Sequence, residues 1–168
     1  LVLGGAASGK SAFAEDLILA APSRPLVYAA TMEPWGEEAQ KRIARHRALR
    51  AGKGFVTFEA PRAADLGKIP EGGAVLLECL TTLTANECFS AGFDGAEERL
   101  LAGVEALLRR CGDAVLVSGD LFADGYTYPP ETERYLSVLA AVNGELAAQS
   151  DRVIEVCCSI PIFHKGEA

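Results

Sequence analysis

Leu1-Val2-Leu3-Gly4-Gly5-Ala6-Ala7-Ser8-Gly9-Lys10-Ser11 is the stretch whose reading decides the fold. Three apolar residues run straight into Gly4-Gly5-Ala6-Ala7-Ser8-Gly9-Lys10-Ser11, a full match to GxxxxGK[ST], and the residues that follow favour a helix. Strand, small-residue loop and helix in that order make a phosphate cradle. With no bulky side chains in the way, the backbone N–H groups of Gly4, Gly5, Ala6, Ala7, Ser8 and Gly9 can turn inward onto phosphate oxygens, and the helix N-terminus adds positive field. Lys10 is then placed to reach the β- and γ-phosphates, and Ser11 to ligate Mg²⁺. The bland alternative is a Gly-rich turn that merely opens a helix. At ordinary residue frequencies the full pattern arises by chance in about one chain per hundred of this size, before its strand and helix flanks are required.

Outward from this loop, short apolar runs alternate with longer helical segments. Residues 1–3, 26–30, 55–58, 74–77, 114–117 and 153–157 read as strands, with 160–163 as a further edge strand. Residues 10–20, 36–51, 82–90, 96–111 and 131–149 read as helices, the last two with apolar residues spaced three and four apart. The expected fold is therefore α/β, a doubly wound, mostly parallel sheet of P-loop NTPase type with helices on both faces. No linker-like stretch divides the 168 residues, so one catalytic domain spanning 1–168 is expected.

Two later strands end in carboxylates. Ala74-Val75-Leu76-Leu77 runs into Glu78, and Ala114-Val115-Leu116-Val117 leads through Ser118 and Gly119 to Asp120. Acids at the carboxyl edge of such a sheet lie beside the nucleotide, where one can hold Mg²⁺ directly or through water. Ser11 and Glu78 are the candidate metal ligands. Acids also follow strands simply because chains exit into solvent, and on spacing alone Glu59 reads as structural.

The segment Glu37-Glu38-Ala39-Gln40-Lys41-Arg42-Ile43-Ala44-Arg45-His46-Arg47-Ala48-Leu49-Arg50 is polar and basic. Arg42, His46 and Arg50 are four apart, so a helix through them sets two guanidinium groups on the face of His46, a face suited to a triphosphate. The competing account is a solvated helix held by Glu37–Lys41 and Glu38–Arg42 pairs, each worth only about 0.3–0.5 kcal/mol. Trp35 and Tyr28 could stack on a base, but isolated aromatics usually serve packing, and neither is assigned a role.

Composition narrows the remaining classes. A net charge of −7 disfavours a broad nucleic-acid surface. The five cysteines are odd in number and lack paired CxxC spacing, which fits a reduced, cytoplasmic compartment better than a disulfide framework or zinc site. No apolar run is long enough for a membrane span, and no membrane targeting is expected. Because the chain opens without methionine, the first strand is expected to begin a residue or two earlier.

Taken together and in order, these segments resemble the bifunctional adenosylcobinamide kinase/adenosylcobinamide-phosphate guanylyltransferase family over essentially the whole chain. The resemblance is carried by the P-loop, by Tyr28-Ala29-Ala30-Thr31, and by Glu37-Glu38 with Arg42-Ile43-Ala44-Arg45-His46-Arg47. Leu76-Leu77-Glu78-Cys79-Leu80-Thr81 with Asn86, and a tail with Asn143, Leu146, Asp151 and Ser159-Ile160-Pro161, complete it. It implies two steps: a nucleoside triphosphate, ATP or GTP, phosphorylates adenosylcobinamide, and GMP from GTP then passes through His46 to the new phosphate. It further implies catalytic roles for His46 and Lys10 and a homotrimer. The implied GTP contacts run from Gly4 to Ser11 and include Ala30, Thr31, Met32, Arg47, Ala48, Leu49, Arg50, Glu59 and Glu78, which overrides the structural reading of Glu59. Ser118-Gly119-Asp120 departs from the family, in which Asn-Glu commonly follows that strand, and Ala7 stands where many members have a basic or larger residue. Two other readings stand beside this one: a different small-molecule kinase of P-loop type with His46 idle, and a nucleotide-dependent regulatory or binding protein.

Overall fold

The structure, a computed structural model, describes residues 1–34, 36–122 and 125–167; the side chains at positions 38, 39, 42, 45, 46 and 49 lie outside the description. Seven strands form one sheet: β1 (Val2–Leu3), β2 (Leu26–Ala30), β3 (Phe55–Glu59), β4 (Ala74–Glu78), β5 (Asp113–Val117), β6 (Val153–Cys157) and β7 (Ile160–Lys165). Their order is β3-β2-β4-β5-β1-β6-β7. All neighbours pair in parallel except β6 and β7, which form an antiparallel hairpin. The helices are α1 (Lys10–Ala20), α2 (Gly36–Arg50), α3 (Ala63–Leu66), α4 (Leu80–Asn86), α5 (Ala96–Leu108) and α6 (Pro130–Gln149), with a π-helical turn at Glu87–Ala91 continuing α4.

Alternation along the strands divides the core in two, because successive side chains leave a strand on opposite faces. Val27, Ala29, Val75 and Leu77 point to one face, where they meet Leu100, Val104 and Leu107 of α5 and Val142 and Leu146 of α6. Tyr28, Ala74 and Leu76 point to the other and meet Ala14 and Ile18 of α1. Both faces are therefore covered, which is why β2 and β4 are apolar runs rather than alternating ones. The expected doubly wound α/β sheet is the observed one. Each fully buried leucine, such as Leu77 or Leu100, contributes about 1.5–3 kcal/mol.

Differences from the expected elements are local. The four-residue α3 is too short to leave a periodic signal; Asp65 Oδ2 caps it by accepting the Arg62 N–H at 3.2 Å. The helix expected over 82–90 begins at Leu80 and widens into the π-helical turn at Glu87, whose inward carboxylate accepts from Ala63 N and Arg99 Nε, both at 2.9 Å. Helix α5 stops at Leu108 rather than at Cys111, where Arg110 N and Cys111 N both close onto Leu107 O.

Candidate functional site

The carboxyl edge of β1 opens into the phosphate loop, and contacts from three other segments fix its shape. Gly4 admits no side chain: a Cβ there would lie 2.5 Å from Ser8 Oγ and 2.6 Å from Val156 O. Gly9 stands at φ +94°, a conformation open to glycine, and a Cβ would meet Ser159 Oγ at 2.6 Å. Ser159, in the β6–β7 turn, donates its N–H to Ser8 O at 2.7 Å, and Asp120 N–H donates to Gly4 O at 3.0 Å. Gly119 N–H donates to Thr81 Oγ1 at 2.7 Å, joining the β5 exit to α4. The loop then opens α1, whose first residue, Lys10, donates from Nζ to Gly5 O at 2.9 Å. Ser8 Oγ is buried with no hydrogen-bond partner among the described residues, leaving one hydroxyl inside the loop unsatisfied.

Ser11 and Glu78 come together although β5 separates β4 from β1 in the sheet: Ser11 Oγ donates to Glu78 Oε1. The other carboxylate oxygen, Oε2, accepts from Tyr28 OH at 3.2 Å. A hydroxyl and a carboxylate facing one another are the hard oxygen donors that Mg²⁺ takes, so this pair fits such an ion. Asp120 does not join them. Its carboxylate is exposed and accepts from Phe122 N–H at 3.3 Å within its own loop.

Beside Glu78, the ends of β2, β3 and β4 and the inner side of α2 enclose a recess lined by Tyr28, Ala30, Met32, Ile43, Arg47, Arg50, Thr57, Glu59, Glu78, Cys79 and Thr82. It brings together six residues expected at the nucleotide: Ala30, Met32, Arg47, Arg50, Glu59 and Glu78. Arg47 Nη2 and Glu59 Oε1 pair at 3.0 Å on its outer rim, both exposed. Arg50 is buried, with its guanidinium carbon 3.3 Å from the centre of the Tyr28 ring and its Nη1 lacking a partner among the described residues. A buried cationic donor held over a ring face and otherwise unsatisfied is suited to an anionic or carbonyl-bearing ligand.

Thr31 and Ala48 are not in this recess. Thr31 is fully buried beneath it, its Oγ1 donating to Cys79 O at 3.0 Å and accepting Cys79 N–H at 2.9 Å, and its N–H donates to Glu78 O. Its role is to hold the end of β4 against that of β2. Ala48 is exposed on α2. The side chains of His46 and Leu49, and of the neighbouring Arg42 and Arg45, lie outside the described residues, as does Trp35.

Sequence reasoning gave no role to several positioning residues, Asn86 among them although it carried part of the family resemblance. Asn86 donates from Nδ2 to Thr31 O at 2.8 Å and Pro61 O at 2.9 Å, tying the exits of β2 and β3 together. Lys53, just after α2, pairs with the buried Glu15 of α1, anchoring that end of α2 to the helix that begins at the P-loop. Tyr28 was legible as an aromatic in a strand, but nothing in its spacing showed that it touches both Arg50 and Glu78.

The family model described as cobinamide kinase / cobinamide phosphate guanyltransferase matches residues 1–163. The bifunctional adenosylcobalamin biosynthesis protein CobP of Pseudomonas aeruginosa is 34% identical over 173 residues, covering 99% of this chain and 97% of that protein. The proteins named CobU of Escherichia coli and Salmonella typhimurium are 31% and 32% identical over 181 residues, in each case 96% of this chain and 97% of the relative. Among solved structures, the RadB recombinase aligns at a TM-score of 0.46 and 15% identity over 92% of this chain and 71% of its own, a likeness too slight to bear on function. With a match to the family model over nearly its full length, this chain belongs to the cobinamide kinase / cobinamide phosphate guanyltransferase family.

Proposed function

We propose that this chain phosphorylates adenosylcobinamide with a nucleoside triphosphate and then transfers GMP from GTP to the new phosphate, giving adenosylcobinamide-GDP. The observation that carries this reading is the joining of two half-sites. The Ser11–Glu78 hydrogen bond links the phosphate loop to the recess under α2, which holds the buried Arg50, whose Nη1 has no hydrogen-bond partner among the described residues. A site with only the first half would suffice for a simple kinase.

In the kinase step the acceptor hydroxyl oxygen attacks the γ-phosphorus, the bond to the β-bridging oxygen breaks, and the hydroxyl proton leaves to solvent. Lys10 and the loop amides stabilise charge on the phosphoryl oxygens and hold the donor in line. Mg²⁺ held by Ser11 and Glu78 would supply Lewis-acid stabilisation of phosphate charge.

In the second step we assign His46 as nucleophile. By helical spacing, positions 43, 46, 47 and 50 share one face of α2, and Ile43, Arg47 and Arg50 line the recess. A neutral imidazole nitrogen bonds to the α-phosphorus of GTP as the bond to pyrophosphate breaks. An oxygen of the corrinoid phosphate then attacks the same phosphorus, the N–P bond breaks, and the imidazole is restored. The cationic Arg47 and Arg50 disfavour imidazolium and offset charge on the nucleotide in transit. Gly4 to Ser11, Ala30, Met32, Glu59 and Glu78 complete the proposed nucleotide contacts, with Thr31, Ala48 and Leu49 adjoining them.

We further propose a homotrimer. The exposed apolar residues at both sheet edges, Val56 on β3 and Ile160 and Ile162 on β7, support association. A stable monomer by light scattering at micromolar concentration would count against it. Among the described residues no helix is long and apolar enough to cross a membrane. The function itself is tested by mixing the protein with adenosylcobinamide, Mg²⁺ and GTP and resolving the corrinoids by chromatography. Both the phosphate ester and the GDP adduct are expected. The ester alone would leave a P-loop kinase, and neither product would leave a nucleotide-binding protein.

A further inference from the structure

Tyr28 is central to β2 and only 4% exposed, yet it is more than core filling. Its ring carries the Arg50 guanidinium at 3.3 Å, and its hydroxyl donates to Glu78 Oε2 at 3.2 Å. Glu78 Oε1 in turn accepts from Ser11 of the phosphate loop. One side chain thus touches the last residue of α2 and the carboxylate at the end of β4, and through that carboxylate the first turn of α1. Phe55 meets the same ring edge-on, with centroids 6.3 Å apart, and limits its rotation.

We infer that Tyr28 is a positioning residue with two separable parts: a hydroxyl that orients Glu78 toward the cation accompanying the nucleotide, and a ring that keeps Arg50 available to the nucleotide. This rests on the nucleotide-binding reading given above. A cation held by Ser11 and Glu78 would take the place of their mutual hydrogen bond. Tyr28 OH would then be the donor that still fixes the second carboxylate oxygen and so orients the first. Without it the carboxylate is free to rotate.

The ring acts by a different route. Glu59 and Glu78 line the same recess as Arg50, and a buried guanidinium with an unsatisfied N–H is drawn toward such carboxylates. Stacking on Tyr28 holds it off them and leaves Nη1 for a ligand. A smaller aliphatic residue at position 28 would let Arg50 fall onto a carboxylate and withdraw its donor.

The two parts are separated by Tyr28→Phe, which keeps the ring, and Tyr28→Leu, which loses both. The readout is the affinity for a fluorescent GTP analogue, titrated in EDTA and across a Mg²⁺ series, with thermal melting of each variant alongside. Tyr28→Phe should bind like the wild type in EDTA but show an enhancement by Mg²⁺ about three- to tenfold smaller, the scale of one ordinary lost hydrogen bond. Tyr28→Leu should bind more weakly in both conditions. Should Tyr28→Leu not fold, Tyr28→Phe decides alone. A Tyr28→Phe titration matching the wild type at every Mg²⁺ concentration overturns the inference, as does a Tyr28→Leu that folds and binds like Tyr28→Phe in EDTA. In parallel, wild-type protein is assayed for corrinoid phosphorylation and guanylylation. Failure there removes the proposed function while leaving the nucleotide titration interpretable.

Discussion

The phosphate loop and helix α2 flank one site but are held in place by different means. The loop is fixed through its backbone: amides of Asp120 and Ser159 donate to carbonyls of Gly4 and Ser8, and close neighbours leave no room for a side chain at Gly4 or Gly9. The described contacts of α2 with the sheet run through side chains, Arg47 on Glu59 and Arg50 on Tyr28, and Lys53 just beyond it reaches Glu15. A backbone-built cradle serves any polyphosphate, because all present the same oxygens. A side-chain-built wall can be specific, and in the proposed function it would carry the residues that separate a guanylyltransferase from a simple kinase.

This contrast breaks most sharply at Lys10. Lys10→Ala should lower both corrinoid phosphorylation and guanylylation by roughly 10²-fold or more, because each reaction draws on the same triphosphate cradle. The melting temperature should stay near that of the wild type, since Nζ bonds only to Gly5 O among its described partners. Unchanged steady-state rates for either reaction would sever that reaction from the loop.

Glu78→Gln comes next. It keeps the shape and the Tyr28 and Ser11 neighbours but removes the charge, and it should cost both reactions roughly tenfold or more while raising the Mg²⁺ concentration needed for half-maximal rate. A variant with an unaltered Mg²⁺ profile would remove Glu78 from the metal site.

On the α2 side, Arg50 and Arg47 should differ. Arg50→Ala removes a buried donor and should raise the KM for GTP about tenfold, in keeping with a lost charge-assisted hydrogen bond. Arg47→Ala breaks an exposed pair and should change folding stability by no more than about 0.5 kcal/mol in chemical denaturation. Equal effects of the two on KM would mean that burial in the recess does not govern nucleotide contact.

The smallest effect is on alkaline stability. Burial raises the folded-state pKa of both Tyr28 and Tyr135, so the folded chain retains phenol protons that the unfolded chain releases. Their contribution is fully present below the unfolded phenol value, about 10, and is lost as pH rises from there toward the folded values. Urea midpoints should therefore be level with respect to these groups up to about pH 10 and decline above it, and Tyr28→Phe should soften the decline. A decline of the same steepness in Tyr28→Phe would show that Tyr28 does not contribute.

The same contrast explains what the sequence revealed. The loop was legible because its function resides in contiguous small residues whose spacing is the chemistry, and the strands because burial on both faces makes β2 and β4 continuous apolar runs. Glu78 was legible as an acid at a strand end. The recess was not, because its contacts join residues far apart in the chain: Arg50 lies on Tyr28, Arg47 on Glu59, and Asn86 spans Thr31 and Pro61. Spacing alone read Glu59 as structural, and the family resemblance placed it at the nucleotide; in the fold it stands on the rim of the recess. Asp120 shows the reverse. As an acid after a strand it resembled Glu78, but its carboxylate turns back onto its own loop, and its amide is what reaches Gly4.

The account depends most on two chemistries sharing one P-loop site, with a covalent adduct on α2 in the second. The direct measurement is incubation with GTP labelled at the α-phosphate, denaturation and counting of protein-bound label, for wild type and His46→Ala, with phosphorylation of adenosylcobinamide assayed in both. The wild type should carry label that is acid-labile and alkali-stable, as a phosphoramidate is. His46→Ala should carry none and yet still form adenosylcobinamide phosphate. Label that persists in His46→Ala, or no label on the wild type under turnover conditions, would contradict the account.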